Sequence, residues 1–342
     1  PRKDASLVEI ERRVRARRAR APAVVNFRAV SPYRARFKQG ATLVPRFMCY
    51  VERVELGRLG GNANAPLVRS VRSNQEKAPW RDLEPLQSAV DARCLRTAYL
   101  GSSIAPFRIL DRPEAVIPVN GGTMLDSNSA EARGLHNTAD WLRRCEQLWN
   151  EHSAGRMRFS ERLDYQRGLS GQFPVAGTRV VYSASGTLVA AAVVRDPEAV
   201  IEHSLYWAPV ANEEEGHFLA ALLNSEAIRR RVEHMQSRGE QGARHFDMLF
   251  FTLPIPRFDP ANDLHRRLSA KGRDAEAAAA GVLIEEGTPF VTARTAIREA
   301  LRANGISDAI DLLVIELLGD AGVEDHAEPI GGDIPLDDLV RP

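Results

Sequence analysis

Apolar and polar positions along this chain change period twice, from short-range alternation to a mixed centre and then to helical spacing. In the first third, 41–54 (ATLVPRFMCYVERV) is rich in strand-forming residues, and Pro45 marks an edge or bulge. The Gly/Asn cluster 56–64 and the apolar segment 66–72 complete a hairpin pattern. Further short strands are expected at 96–100, 104–110 and 115–119. The Gly-, Asn- and Ser-rich stretch 120–133 reads as a long loop and the best linker candidate. Beyond it, 138–152 predicts an amphipathic helix capped by Asn137 or Thr138, with Trp141, Leu142, Cys145, Leu148 and Trp149 on one buried face. Residues 159–171 continue as helix and then loop.

The centre runs from Arg179 to His265. Two β patterns, 179–183 and 188–195, flank the turn Ala184-Ser185-Gly186, and a third covers 199–206. Residues 213–223 take helical spacing, Asn224-Ser225 interrupts, and 226–236 resumes it. Gly239 and Gly242 break the helix; 246–253 reads as one more strand, stopped by Pro254-Ile255-Pro256. Three helices follow at 262–281, 293–303 (capped by Thr288 or Thr292) and 309–318 (capped by Ser307). The pattern predicts an α+β fold: a β-rich N-terminal part, a central mixed β-sheet packed by helices, and a helical C-terminal appendage. The expected division is a basic connector helix at 1–25, a β-rich subdomain at 26–125, an α/β core at 126–270, and the appendage with an acidic tail at 271–342.

Charge is balanced overall, at 46 basic against 45 acidic residues, but unevenly spread. Arg12, Arg13, Arg15, Arg17, Arg18 and Arg20 crowd the start and Arg34, Arg36, Lys38 and Arg46 follow, while the last residues are acidic, which hints at nucleic-acid contact near the basic end. A solvated helix face would give the same count. Three scattered cysteines (Cys49, Cys94, Cys145) suit neither a disulfide framework nor a zinc site and fit a reducing, cytoplasmic setting. No apolar run approaches the roughly 20 residues of a membrane helix, so no membrane partner is expected.

Catalytic chemistry finds no footing. His203, His217, His234, His245 and His265 make no pair at metal-binding helical spacing, and neither a P-loop nor a G-x-S-x-G elbow occurs. Glu76-Lys77 is the nearest approach to a metal-dependent nuclease motif and lacks the upstream carboxylate. Asp111-Arg112-Pro113 and Asp259-Pro260 lack the second proline and aromatic of a base-clamping methyltransferase loop.

A resemblance does emerge from Ala221-Leu222-Leu223-Asn224-Ser225, from Leu253-Pro254-Ile255-Pro256-Arg257-Phe258-Asp259, and from their order after Leu205-Tyr206-Trp207. Together with the upstream run from Gly40 to Trp80, these segments resemble the target-recognition region of large adenine-specific DNA methyltransferases of restriction–modification and phage-defence systems, the TaqI-like specificity domains. The resemblance covers roughly residues 37–268. It implies double-stranded DNA as partner and a methyltransferase domain N-terminal in the same polypeptide, with S-adenosylmethionine bound there; no cofactor is expected in this chain. The parent would be an adenine-N6 methyltransferase, with a fused nuclease left open, and Pro1 in place of Met fits a C-terminal piece of it.

A reader of base edges needs Arg, Asn or Gln in the major groove, and cations on phosphates. The loop 235–245 offers Arg238, Gln241, Arg244 and His245 among glycines, and the loop 69–80 offers Arg72, Asn74, Gln75 and Lys77. A solvent loop would give the same polarity. Two other readings stand beside this one: a protein-interaction module without DNA readout, and an enzyme whose motif is unfamiliar.

Overall fold

The computed structural model describes residues 30–55, 61–73, 76–236, 238–239, 242–243 and 245–319. The expected N-terminal connector helix and the acidic tail lie outside them. The fold is α+β.

In chain order, strand β1 (Lys38–Gln39) leads through the short helix Arg46–Cys49 into β2 (Tyr50–Arg53), β3 (Leu67–Ser70), β4 (Gln87–Ala89), β5 (Leu95–Tyr99) and β6 (Glu114–Val116). Helix α1 (His136–His152) follows, then β7 (Arg179–Ser183), β8 (Ala191–Val194), β9 (Val200–Ile201) and β10 (Leu205–Pro209). The remainder is helical: α2 (Glu213–Asn224), α3 (Glu226–Glu233), α4 (Asp263–Ala280), α5 (Phe290–Ala303) and α6 (Ile306–Leu318). Two sheets organise these elements, one ordered β1-β10-β7-β8 and the other β9-β5-β6-β2-β3-β4. All pairings are antiparallel except β9 with β5.

Both faces of β7 and β8 are buried, which explains the apolar runs Val180–Tyr182 and Ala191–Val194. Val180, Tyr182, Ala191, Val193 and Ala208 face the helices, while Val181, Ala192, Val194, Leu205 and Trp207 face Tyr99 and Ile104 of the second sheet's side. Helix α2 lies centrally on the first face. Its residues from Glu215 to Leu223 are all buried, so it is apolar nearly all round, as an interior helix must be. Helix α4 crosses it closely, because Gly272 has no side chain: a Cβ there would sit 2.3 Å from the His217 carbonyl oxygen. Ile297, Leu301, Ile310 and Val314 bring α5 and α6 into the same core. On the far side, Trp141 of α1 is buried and donates from its indole nitrogen to Met48 O at 3.1 Å.

Several expectations are corrected. Residues 41–54 are not one strand, because Phe47, Met48 and Cys49 are all buried in a helical turn before β2. Residues 199–206 divide between two sheets, and the turn at Glu202 makes the switch. Residues 246–253 form no strand: Phe250 and Phe251 are both buried in a short 3-10 turn (Leu249–Thr252), stacking on Phe246 and Phe37 respectively. A short apolar run does not separate these cases by its pattern. The supposed linker 120–133 is ordered structure, a tight hairpin (Val119–Asn120 with Thr123–Met124) followed by helix Ser127–Glu131, whose Ser127 donates to Glu146 of α1. Helix α1 starts at His136, and Asp91, from a distant loop, accepts the Thr138 N–H at 2.9 Å in place of a local cap.

Candidate nucleic-acid interface

The site grows from the edge strand β1, whose two residues Lys38 and Gln39 are exposed and pair with Trp207 and Tyr206 of β10. Gly40 follows under the turn that separates β9 from β10, and a Cβ on it would meet the Glu202 carbonyl oxygen at 2.3 Å. The Glu202 carboxylate is fully buried. It accepts from Ser204 N at 2.9 Å and from Ser204 Oγ at 2.5 Å, and His203 Nδ1 lies against its other oxygen. Burial alone would raise its pKa, but hydrogen bonding from His203 and Ser204 and the positive charges of His203 and Arg46 prevail, holding it below the usual carboxylate range. Gln39 Nε2 donates to His203 O at 2.9 Å, which ties the edge strand to this turn.

Two concavities open on either side of Gln39 and His203, which line both. The larger, a trough of about 970 Å³, carries Lys38, Arg162 and Arg167 together with Tyr165 and Gln166, and among the described residues no carboxylate lines it. None of these three cations makes a side-chain hydrogen bond or ion pair among the described residues. Tyr165 stands 45% exposed, enough to offer its ring to a bound molecule. The second is a cleft of about 650 Å³ bordered by Arg46, Ser73, His245, Asp247, Phe290 and Arg294. Arg294 is a wall rather than a reaching group: it donates to Ile104 O and Gly101 O at 2.9 and 2.6 Å, and its guanidinium sits 4.9 Å over the Phe290 ring. Trough and cleft share Gln39 and His203 as a common wall, and the two together are the groove.

The candidate residues from sequence fall as follows. His245 is exposed, bridges to Ser185 and borders the cleft. Arg238 stands in a two-residue strand paired with Gly242–Ala243. Its side chain, with Gln241 and Arg244, lies outside the described residues, as do Asn74 and Gln75. Lys77 is exposed. Arg72 is turned inward, its guanidinium 5.7 Å over the Phe47 ring and its Nε and Nη2 buried without a hydrogen-bond partner. Its neighbour Ser73 borders the same cleft as His245. Sequence reasoning missed Arg162, Gln166 and Arg167, and reached Lys38 only as one of the basic residues near the start. The available signal was the polar run Asp164-Tyr165-Gln166-Arg167-Gly168 between apolar Leu163 and Leu169.

Among the described residues, no three His, Cys, Asp or Glu side chains gather as a metal ion would require, and no helix is long and apolar enough to cross a membrane.

No family model and no curated protein matches the chain. Among solved structures, it is similar to the Type IIL restriction-modification enzyme MmeI in complex with DNA, with a TM-score of 0.47 and 12% identity, over 68% of this chain and 29% of that one. It is also similar to the type IIG restriction endonuclease BpuSI, with a TM-score of 0.35 and 15% identity, over 81% of this chain and 32% of that one. The chain therefore spans about a third of the length of each.

Proposed function

We propose that this chain recognises a duplex DNA sequence through the groove, on behalf of an adenine-specific methyltransferase of a restriction–modification or phage-defence system. Methyl transfer and binding of S-adenosylmethionine belong, on this reading, to a catalytic domain elsewhere in the polypeptide. The observation that carries it is the trough: among the described residues its three cations have no side-chain partner and no carboxylate lines it, and glutamine and tyrosine are interspersed. A duplex presents a regular row of phosphates that such cations would neutralise, releasing counterions, while amide side chains reach base edges. Lys38 and Arg162 would hold phosphates, and His245 borders the cleft. Arg238, Gln241, Arg244, Arg72, Asn74, Gln75 and Lys77 remain the candidates that the sequence offers for base and phosphate contact.

The same unpaired cations would also suit an acidic protein surface, which is the competing reading. The two part in a selection from a randomised duplex library at near-physiological salt. Enrichment of one short motif is the expected result. Retention of polyglutamate without any duplex enrichment would replace DNA recognition with protein docking.

A further inference from the structure

The loop from Asp164 to Gln172 has an unusual backbone: Gln166 and Arg167, neither of them glycine, both hold positive φ, at 52° and 58°. Side chains in this left-handed region crowd their own backbone, so two in succession persist only where the surroundings impose them. Here they do. Asp164 Oδ1 accepts from Leu169 N and Ser170 N at 3.2 and 2.8 Å, and Arg167 N donates to Asp164 O at 2.8 Å. The Gln172 amide then fastens the loop to the sheet, donating to Gly168 O and Ile201 O and accepting from Ile201 N, each at 2.8–2.9 Å. Leu163 and Leu169 are buried beneath it. The loop is thus rigid from below, while Tyr165, Gln166 and Arg167 are all exposed along the trough.

Resting on the proposed duplex recognition, we infer that Gln166 and Arg167 set the sequence preference of the groove. Glutamine matches adenine by paired bonds to N6 and N7, and arginine matches guanine through O6 and N7; both pairings demand a fixed side-chain origin, which the strained loop supplies. Lys38 differs in kind. It is a flexible point charge on an edge strand and gives phosphate attraction without geometry. Arg162 is half-buried behind the loop and serves the same phosphate role.

The test repeats the duplex selection with the full chain and its variants, then measures affinity for the enriched duplex and for single-base-pair changes of it. Gln166→Ala and Arg167→Lys should each lose about 10- to 100-fold of discrimination at one base pair and keep their affinity for unrelated duplexes. Lys38→Ala should weaken all duplexes alike. Gln166→Gly separates reading from folding, because it removes the steric cost together with the amide: the melting temperature should hold or rise while discrimination is lost. An unchanged motif with unchanged discrimination in both Gln166→Ala and Arg167→Lys would overturn the inference and leave duplex recognition standing. A wild-type chain that enriches no duplex would overturn both.

Discussion

Arginines on the helical side of the four-stranded sheet and cations on its groove edge are treated in opposite ways. On the helical side, Arg195 bridges Glu213 and Glu276, each at 2.7 Å, and His217 joins Glu276 at 2.8 Å. Arg229 pairs with Glu226 at 2.6 Å, and Arg36 reaches the buried Glu215 at 2.6 Å, where Tyr33 also donates. Arg195 and Arg36 are thus committed to holding helices against the sheet, and Arg229 to bracing its own helix. Along the trough, Lys38, Arg162 and Arg167 have no such partners among the described residues, none of which lines it with a carboxylate. A chain of nearly zero net charge can thus offer a polyanion a positive track, because its carboxylates are gathered elsewhere.

The contrast should break hardest under charge reversal. Changing Lys38, Arg162 and Arg167 together to glutamate should lower duplex affinity by a factor on the order of 1,000 by fluorescence anisotropy, since two phosphate contacts and one base contact become repulsions. The melting temperature should stay close to wild type, because no folded-state pair is lost. Gly272→Ala should do the reverse: the clash with the His217 carbonyl forces α2 and α4 apart, costing about 2–3 kcal/mol in chemical denaturation while duplex contacts remain.

A smaller effect is expected from the helical-side network in acid. Burial opposes ionisation of Glu276, yet hydrogen bonds from His217 and Arg195 hold its pKa down to about 2 against an ordinary 4.5. The folded state therefore binds this proton less readily than the unfolded chain. The stabilisation is complete above about pH 4.5 and is lost as pH falls toward 2. Glu276→Gln should cost about 1–2 kcal/mol at neutral pH and flatten this part of the acid-unfolding curve. Least of all, Arg53→Ala, which breaks an exposed pair with Glu114, should change stability by at most about 0.5 kcal/mol and leave duplex affinity unaltered.

Much of the fold was legible because its signals are local. The apolar runs of β7 and β8, the hairpin of β2 and β3 around a glycine-rich turn, and the periodicity of α1, α2 and α4 all follow from neighbouring residues. Where one apolar run serves two environments, local pattern fails. Ala199 to Tyr206 reads as a single strand, but buried Glu202 turns the chain there and sends its halves into different sheets. The groove was less legible still. Lys38 meets Trp207 only through the pairing of β1 with β10, and Arg167 joins them only because Gln172 fastens its loop to Ile201. Whether an arginine is paired depends on such long-range neighbours, and composition carries no trace of it. His245 and Ser73 were within reach of sequence reasoning because polar loops beside glycines are visible locally; their convergence on one cleft was not.

The most direct test of the central claim is the salt dependence of duplex affinity for the full chain, compared with its Lys38→Glu/Arg162→Glu variant. Each phosphate contact contributes about 0.9 to the slope of log affinity against log salt, so the variant's slope should be shallower by about 1.8. A wild-type affinity insensitive to salt, or a steep slope that the double variant leaves unchanged, would contradict the groove as the DNA-binding surface.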